Sequence, residues 1–435
     1  MAPRTLRFEE ETLPSGARLI LAPLPGRSSV SVSLLFGVGS RFEPRRLAGI
    51  SHFLEHVVFK GTERYRDSRA VSSAIEGLGG VMNASTEKEM TVFWARVAGT
   101  HLATALDVLT ELALAPRIDP AEVEREREVV FEELKMYLDQ PADLVQMAFD
   151  EAIWEGHPLA RDPAGDRRSL RRIAAPELGA YRAANYRPSR LVVMIAGAFS
   201  PALARREVLR RLESRLPRPA GASVDPGGDG GPPAPLASPF QARLISRRGE
   251  QVHLLLGTRC SAYAAPDRWA LDLLNTLLGE GMSSRLFLEL REAQGLAYDV
   301  HSFTARHRDS GAFAIYLATR PDQAATGARA ALLELRRLAD RGLEPHELER
   351  AKAQMEGRLA LQTESSGGLS EFLGHEALLT GGLLSPEEVV QRIRDVGEDG
   401  VVRLARELLP GRSSWRLAAV GPIRDREGLE AAASE

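Results

Sequence analysis

The order of apolar and polar positions in the first half of the chain predicts strands and amphipathic helices that follow one another. Apolar residues that alternate or run together predict strands at 6–13, 17–22, 29–37, 81–85, 90–97 and 191–197. Apolar residues spaced three and four apart predict one helix from about residue 47 and others at 69–78, 101–114, 121–138 and 201–216. The first two strands flank the turn sequence PSG at 14–16, so they are predicted to form a hairpin.

The second half of the chain resembles the first, and a segment rich in proline and glycine separates them. Residues 120–134 read PAEVEREREVVFEEL and residues 345–359 read PHELERAKAQMEGRL, at an offset of 225 residues between the two prolines. We therefore predict an α+β protein of two related domains, each a mostly antiparallel sheet with helices packed on one side. The predicted limits are 1–218 for the N-terminal domain, 219–238 for the linker and 239–435 for the C-terminal domain.

Composition narrows the classes of protein to which the chain can belong. Hydrophobic residues make up 44% and charged residues 26% of the 435 residues, as in ordinary globular proteins. The net charge is −3, so we expect no nucleic-acid partner and no membrane partner. Cys260 is the single cysteine, which excludes an internal disulfide and a thiolate-rich zinc site. Because no apolar run has the length of a signal peptide or a membrane span, we expect a cytoplasmic protein.

Candidate metal chemistry lies in residues 51–60, which contain the motif H-x-x-E-H formed by His52, Glu55 and His56. On a helix these three side chains share one face, and two histidines four residues apart can bind one divalent metal. The motif alone is also compatible with a surface helix that carries these residues by chance. A tetrahedral zinc needs a further protein ligand, and the charged helix at 121–138 offers several carboxylates. Their residue types do not decide between them: Glu122, Glu124, Glu126, Glu128, Glu132 and Glu133.

Several motifs taken together resemble those of the pitrilysin/insulinase family of zinc peptidases. H-F-L-E-H is followed by F-K-G-T at 59–62 and by E-R-E-R-E-V-V-F-E-E at 124–133. Further matches occur at 79–86, 157–159, 185–190 and 283–298, so the resemblance covers nearly the whole chain. Within the family the chain is most similar to the half-length bacterial peptidases and to the subunits of mitochondrial processing peptidase.

The resemblance implies one zinc ion per chain, with Glu133 as the third ligand beside His52 and His56. It also implies that Glu126, two helical turns before Glu133, does not bind the metal itself but orients a ligand histidine or supports its charge. Glu55 is expected to act as the general base that takes a proton from the attacking water and delivers it to the leaving amine. A site of two histidines and a glutamate also accepts cobalt or manganese, so the identity of the metal stays open.

Two further groups of residues are implied to contact substrate. Asn83, Ala84 and Thr86 lie on a predicted strand that would form a sheet edge, where an extended peptide can add as another strand. In the second half, Arg291 and Tyr298 would reach the carbonyl groups of the substrate. Without the resemblance, Asn83 would be interpreted as a turn residue, Arg291 as an exposed helix residue and Tyr298 as a core residue.

The expected function is that of a zinc-dependent endopeptidase that cleaves unfolded peptides or oligopeptides inside a chamber. Full-length relatives enclose that chamber with four such domains, so two chains would be needed here. We expect a homodimer, and a heterodimer with a related chain that lacks zinc ligands is the alternative. A non-catalytic scaffold or partner subunit of a processing-peptidase complex is the rival function, and zinc content distinguishes the two. A peptidase dedicated to one precursor peptide would differ only in its substrate.

Overall fold

The computed structural model describes residues 6–216, 231–236, 238, 240–409, 411 and 414–434. These residues form two compact units. The first unit takes its described residues from 1–134, 161–230 and 359–387, and the second takes them from 135–160, 231–358 and 388–435. Each unit therefore contains a segment from the other half of the chain, which the sequence did not predict. The predicted domain limits stay a prediction, and most of the predicted linker, residues 219–230, lies outside the described residues.

Eleven strands and fifteen α-helices can be numbered along the described residues. The strands are β1 (Glu9–Thr12), β2 (Arg18–Pro23), β3 (Ser29–Phe36), β4 (Val81–Thr86), β5 (Thr91–Ala98), β6 (Leu191–Gly197), β7 (Phe240–Ser246), β8 (Val252–Cys260), β9 (Asp299–Arg306), β10 (Gly311–Thr319) and β11 (Trp415–Gly421). The helices are α1 (Ile50–Val58), α2 (Ser68–Glu76), α3 (Leu102–Leu114), α4 (Pro120–Asp139), α5 (Pro141–Ile153), α6 (Arg167–Leu170), α7 (Ala175–Asn185), α8 (Pro201–Arg211), α9 (Arg268–Gly279), α10 (Ala324–Arg341), α11 (Glu347–Glu364), α12 (Ser366–Thr380), α13 (Pro386–Arg394), α14 (Glu398–Leu408) and α15 (Arg426–Ser434).

The first unit contains a six-stranded sheet in the order β1-β2-β6-β3-β5-β4. Only β2 and β6 run parallel, and every other neighbouring pair in this described sheet is antiparallel. The predicted hairpin forms between β1 and β2, and the predicted strands at 29–37, 81–85, 90–97 and 191–197 are all present. β4 stands at one edge of the sheet, beside the motif helix α1.

Helix α12 packs on β3 and β6 of this sheet, although more than 300 residues separate it from β3 along the chain. Ser33 and Ser370 meet through their hydroxyl oxygens at 2.9 Å, and Leu373 is buried with Leu35 in the same layer. Strand side chains alternate between faces, so Leu34 points away from α12, towards the side on which α3 contacts β3 and β5. The sheet thus has helices on one side, as predicted, and the additional helix α12 on the other side.

The second unit contains a five-stranded sheet in the order β7-β11-β8-β10-β9, in which only the described pair β7 and β11 is parallel. Helix α5 packs on β8 and β11, and its Phe149 is buried with Leu255 and Val420. Leu317 points to the opposite face, where it lies against Gly327 of α10. The predicted fold class is confirmed: an α+β protein with two mostly antiparallel sheets. Within the described residues, no helix has the length and apolar character needed to cross a membrane.

Candidate functional site

The motif helix α1 begins at a point fixed by a glycine and a buried glutamate. Gly49 caps the helix with a φ of 90°, and a Cβ atom there would lie 2.6 Å from the carbonyl oxygen of Ala164. The carboxylate of Glu43 accepts hydrogen bonds from the backbone N–H groups of Gly49 at 2.7 Å and Ser51 at 2.8 Å. These N–H groups have no partner within the helix, so Glu43 stabilises its first turn. Burial nevertheless raises the pKa of Glu43.

His52, His56 and Glu133 converge at one point, because α4 brings its glutamate over the face of α1 that carries both histidines. The Nε2 atoms of His52 and His56 lie 3.7 Å and 3.4 Å from Oε2 of Glu133. Ligands about 2.1 Å from a tetrahedral zinc are separated from one another by about 3.4 Å. Among the described residues, this is the one group of three or more His, Cys, Asp or Glu side chains that could hold a metal ion.

The two imidazoles have opposite pKa shifts. Burial, followed by the neighbouring His56, lowers the pKa of His52 to about 4, so the ring is neutral near pH 7 as a metal ligand must be. Burial also lowers the pKa of His56, but the carboxylates of Glu133, Glu55 and Glu126 outweigh that effect and raise it overall. Three carboxylates around one imidazole favour a positive charge at this point. A bound cation satisfies that preference, so the donor set fits a divalent metal.

Glu126 contacts His56 from the side that faces away from Glu133. Its Oε2 atom lies 3.4 Å from Nδ1 of His56, while Nε2 of the same ring points at Glu133. Its Oε1 atom lies 2.7 Å from the ammonium group of Lys60, one turn further along the chain from His56. A carboxylate on the second imidazole nitrogen fixes which nitrogen remains free to bind a metal. The supporting role that the resemblance implied for Glu126 stays a prediction.

Glu55 lies beside the three converging side chains but is not one of them. Its Oε2 atom accepts a hydrogen bond of 2.6 Å from the hydroxyl group of Thr86, at the end of β4. Burial raises the pKa of Glu55, and the bond from Thr86 opposes that shift. A carboxylate with a raised pKa is suited to accept and return a proton near neutral pH.

The predicted substrate residues of the first unit all lie on the edge strand β4. Asn83 is exposed, and its Oδ1 atom accepts a hydrogen bond from the backbone N–H of Ala84 at 2.9 Å. Ala84 itself is buried, and Thr86 points to Glu55. β4 pairs with β5 on one side, so its other side forms an edge of the described sheet next to Glu55. An extended peptide could pair with that edge.

Arg291 and Tyr298 lie together in the second unit. Arg291 belongs to a π-helical segment, Phe287–Ala293, and its guanidinium lies 5.7 Å from the ring centre of Tyr298 and 5.0 Å from that of Phe287. Tyr298 is 72% exposed and is therefore not a core residue. Short π-helical segments often occur at functional sites. The roles predicted for both side chains remain predictions.

Comparison with known proteins identifies the family. The family model described as Insulinase (Peptidase family M16) matches residues 18–167, and that described as Peptidase M16 inactive domain matches residues 172–355. A protein from Streptomyces coelicolor is 36% identical over 96% of this chain and 90% of its own length. One from Bacillus subtilis is 33% identical over 94% of this chain and 97% of its own length. The chain belongs to peptidase family M16.

The names of these relatives and the solved structures agree with that membership. The proteins from Streptomyces coelicolor and Bacillus subtilis are each named an uncharacterized zinc protease. A protease from Helicobacter pylori has the same fold, with a TM-score of 0.89 and 23% identity over 95% of this chain and 99% of its own. A peptidase M16 inactive domain from Pseudomonas fluorescens also has it, with a TM-score of 0.87 and 22% identity over 97% and 100% of the two chains.

Four buried or half-buried residues at or near the site were not predicted from the sequence. Lys60 lies in the motif F-K-G-T, but nothing in the sequence indicated that its ammonium group binds Glu126. Glu43 and the ion pair of Arg41 with Glu89 depend on contacts between segments that are distant along the chain. The one available signal was that Arg41 and Glu43 lie fewer than ten residues before the motif helix.

Proposed function

We propose that the chain is a zinc-dependent endopeptidase that hydrolyses peptide bonds of unfolded peptides or oligopeptides. The observation that supports it most is the convergence of His52, His56 and Glu133, with the carboxylate of Glu55 beside them. The relatives named zinc proteases support the choice of zinc over other divalent metals. His52 and His56 would hold the ion through Nε2, and Glu133 through a carboxylate oxygen.

When bound, zinc supplies a Lewis acid that makes water more acidic and stabilises negative charge on a carbonyl oxygen. Glu55 takes one proton from the water molecule as the water oxygen attacks the peptide carbonyl carbon. The carboxyl group of Glu55 then gives that proton to the amine nitrogen as the C–N bond breaks. Glu126 holds the ring of His56 in the orientation that leaves Nε2 free.

The edge of β4 would bind the substrate as an added strand. The backbone N–H and C=O groups of β4 that point away from β5 would pair with the peptide, so that affinity depends little on the peptide sequence. Since a folded protein does not offer a free extended segment, this mode of binding favours unfolded peptides. Arg291 and Tyr298 would donate hydrogen bonds to substrate carbonyl groups.

Two chains are proposed to form the chamber in which cleavage occurs. Because one chain carries both the metal ligands and the pair of Arg291 and Tyr298, a homodimer is the simpler arrangement. Size-exclusion chromatography with light scattering should give twice the chain mass for the purified protein. A monomer that cleaves peptides at an undiminished rate over a wide range of dilution would contradict the two-chain chamber. It would leave the peptidase chemistry itself intact.

The deciding experiment measures hydrolysis of an unstructured, quenched fluorescent peptide together with the zinc content of the same samples. Activity should disappear with a chelator, return with zinc, and be lost in Glu55→Gln while bound zinc is retained. Glu128→Gln, a neutral change of an exposed glutamate on α4, serves as the control. Bound zinc without hydrolysis of any peptide tested would indicate a missing partner chain or a narrow substrate range. Neither zinc nor activity would refute the proposal in favour of a scaffold.

A further inference from the structure

The hydroxyl group of Thr86 contacts the carboxylate of Glu55 over 2.6 Å, the short distance expected for a bond to a charged acceptor. Thr86 is the last residue of β4, and its cross-strand partner in β5 is Thr91. A hydrogen bond to Oε2 restricts rotation of the carboxylate and leaves Oε1 as the oxygen that can take a proton. This contact therefore bears on the orientation of Glu55 as well as on the peptide edge.

The turn that follows Thr86 is anchored to the loop at residues 39–43, which we name the anchor loop. The backbone N–H of Ser40 donates to the carbonyl of Glu87 at 3.1 Å, and that of Arg41 donates to the carbonyl of Lys88 at 2.8 Å. A Cβ atom on Gly39 would lie 2.2 Å from the carbonyl oxygen of Glu87. Only glycine permits so close an approach of the two backbones.

A buried ion pair joins the same two segments. The guanidinium of Arg41 lies 2.6 Å from the carboxylate of Glu89, and the two side chains are 0% and 3% exposed. Two charges removed from water are stable only in a well-defined geometry, so the pair fixes the turn relative to the anchor loop. The other end of the anchor loop is Glu43, which caps the first turn of α1. The loop thus contacts both the helix that carries Glu55 and the hairpin that carries Thr86.

We propose that Thr86 is a positioning residue for Glu55, and that the anchor loop holds the two at hydrogen-bond distance through the pair of Arg41 and Glu89. The proposal rests on the proposed peptidase function, in which Glu55 is the base. It assigns the hydroxyl of Thr86 to orientation of that base, whereas the family resemblance implied only contact with substrate. A general base must be held closely, because a displacement of about 1 Å can lower the rate by about 100-fold.

The test compares Thr86→Val, which keeps the shape suited to a strand but removes the hydroxyl, with Thr86→Ser, which keeps the hydroxyl. We expect kcat of the valine variant to fall by about 10- to 100-fold, with KM, zinc content and melting temperature unchanged. The serine variant should retain kcat near that of the wild type. Thr304→Val, at a half-buried strand position of β9, controls for the general effect of this substitution.

Other outcomes would overturn the assignment. A rise in KM with constant kcat would make Thr86 a substrate contact, and a drop in melting temperature with constant kcat would make its role structural. Equal losses in the serine and valine variants would exclude a role for the hydroxyl. A wild-type protein with neither bound zinc nor activity, or a Glu55→Gln variant as active as the wild type, would refute the proposed function itself.

A double-mutant cycle tests the part assigned to the ion pair. Glu89→Gln keeps the side-chain shape but removes the charge that holds Arg41. If both residues act through the orientation of Glu55, adding Glu89→Gln to Thr86→Val should lower kcat little beyond the valine variant alone. All variants are assayed at a temperature at which circular dichroism shows them folded. Losses of kcat that multiply, or no loss in Glu89→Gln, would separate the ion pair from Glu55.

Discussion

The burial of the ion pair between Arg41 and Glu89 allows the loss of unfolding free energy to be estimated for a variant that lacks one partner. Replacing Arg41 by methionine keeps an apolar side chain of similar length but leaves the carboxylate of Glu89, which is 3% exposed, without its guanidinium. Loss of one partner from a buried pair costs about 3–5 kcal/mol, most of it the penalty of an uncompensated buried charge. In a unit of this size, that corresponds to a melting temperature lower by roughly 6–20 °C.

Equilibrium unfolding in urea, followed by circular dichroism, measures this free energy directly. Arg66→Met is the matched control, because Arg66 pairs with Asp67 at 3.0 Å in the same unit but is 86% exposed. An exposed pair contributes under about 1 kcal/mol, so the control should be nearly neutral. The double variant Arg41→Met with Glu89→Met should regain most of the loss, since no buried charge then remains. Equal effects of Arg41→Met and Arg66→Met would refute this reasoning.

Three further predictions concern the metal, the single thiol and the packing of the second sheet. Glu126→Gln should weaken zinc binding by about 10- to 100-fold in competition with a chelator, and Glu122→Gln, at a surface pair of the same helix, should not. Burial raises the pKa of Cys260 to about 12, so at pH 8 its reaction with a disulfide reagent should be roughly 10³-fold slower than in the unfolded chain. Gly257→Ala should cost about 1–3 kcal/mol in urea unfolding, because its Cβ would lie 2.6 Å from the ring of Phe149. Gly357→Ala, in a helix with open space around it, should instead stabilise by up to about 1 kcal/mol.

The sequence predicted those parts of the fold whose signals are local. Strand β3 was predicted at 29–37 and found at 29–36, because alternation of side chains is a property of consecutive residues. The sequence did not predict that α5, from the first half of the chain, packs on the second sheet, or that α12, from the second half, packs on the first. No local feature of the sequence indicates which sheet a helix will cover. Helix α12 also presents polar Ser366 and Ser370 to the sheet, where they meet serines of β3. An apolar stripe, the usual signal of a buried helix face, is therefore interrupted there.

The candidate site likewise contains some residues whose positions local sequence signals predicted and others whose positions they did not. His52, Glu55 and His56 could be placed on one face because helix geometry alone relates residues three and four apart. The choice of Glu133 among six glutamates needed the family resemblance, and the structure brings that glutamate to both histidines. The contact of Thr86 with Glu55 depends on how a strand packs against a helix. Such contacts leave no spacing in the sequence from which they could be predicted.

The corresponding helix of the second half differs from α4 at the two positions where α4 carries Glu126 and Glu133. At the offset of 225 residues, Glu133 corresponds to Arg358 and Glu126 to Ala351, so a potential ligand is replaced by a cation. In the structure Arg358 forms an ion pair with Glu280, which also accepts hydrogen bonds from Asn275 and Thr276, each at 2.9 Å. The guanidinium links α11 to the end of α9, where Glu280 follows the helix. In the first unit, Glu133 of α4 approaches the histidines of α1, a placement that a metal ion can hold. In both halves a side chain of this helix thus contacts a residue of, or next to, another helix. Glu133 does so through the histidines of α1, which are potential metal ligands, whereas Arg358 does so through an ion pair with Glu280.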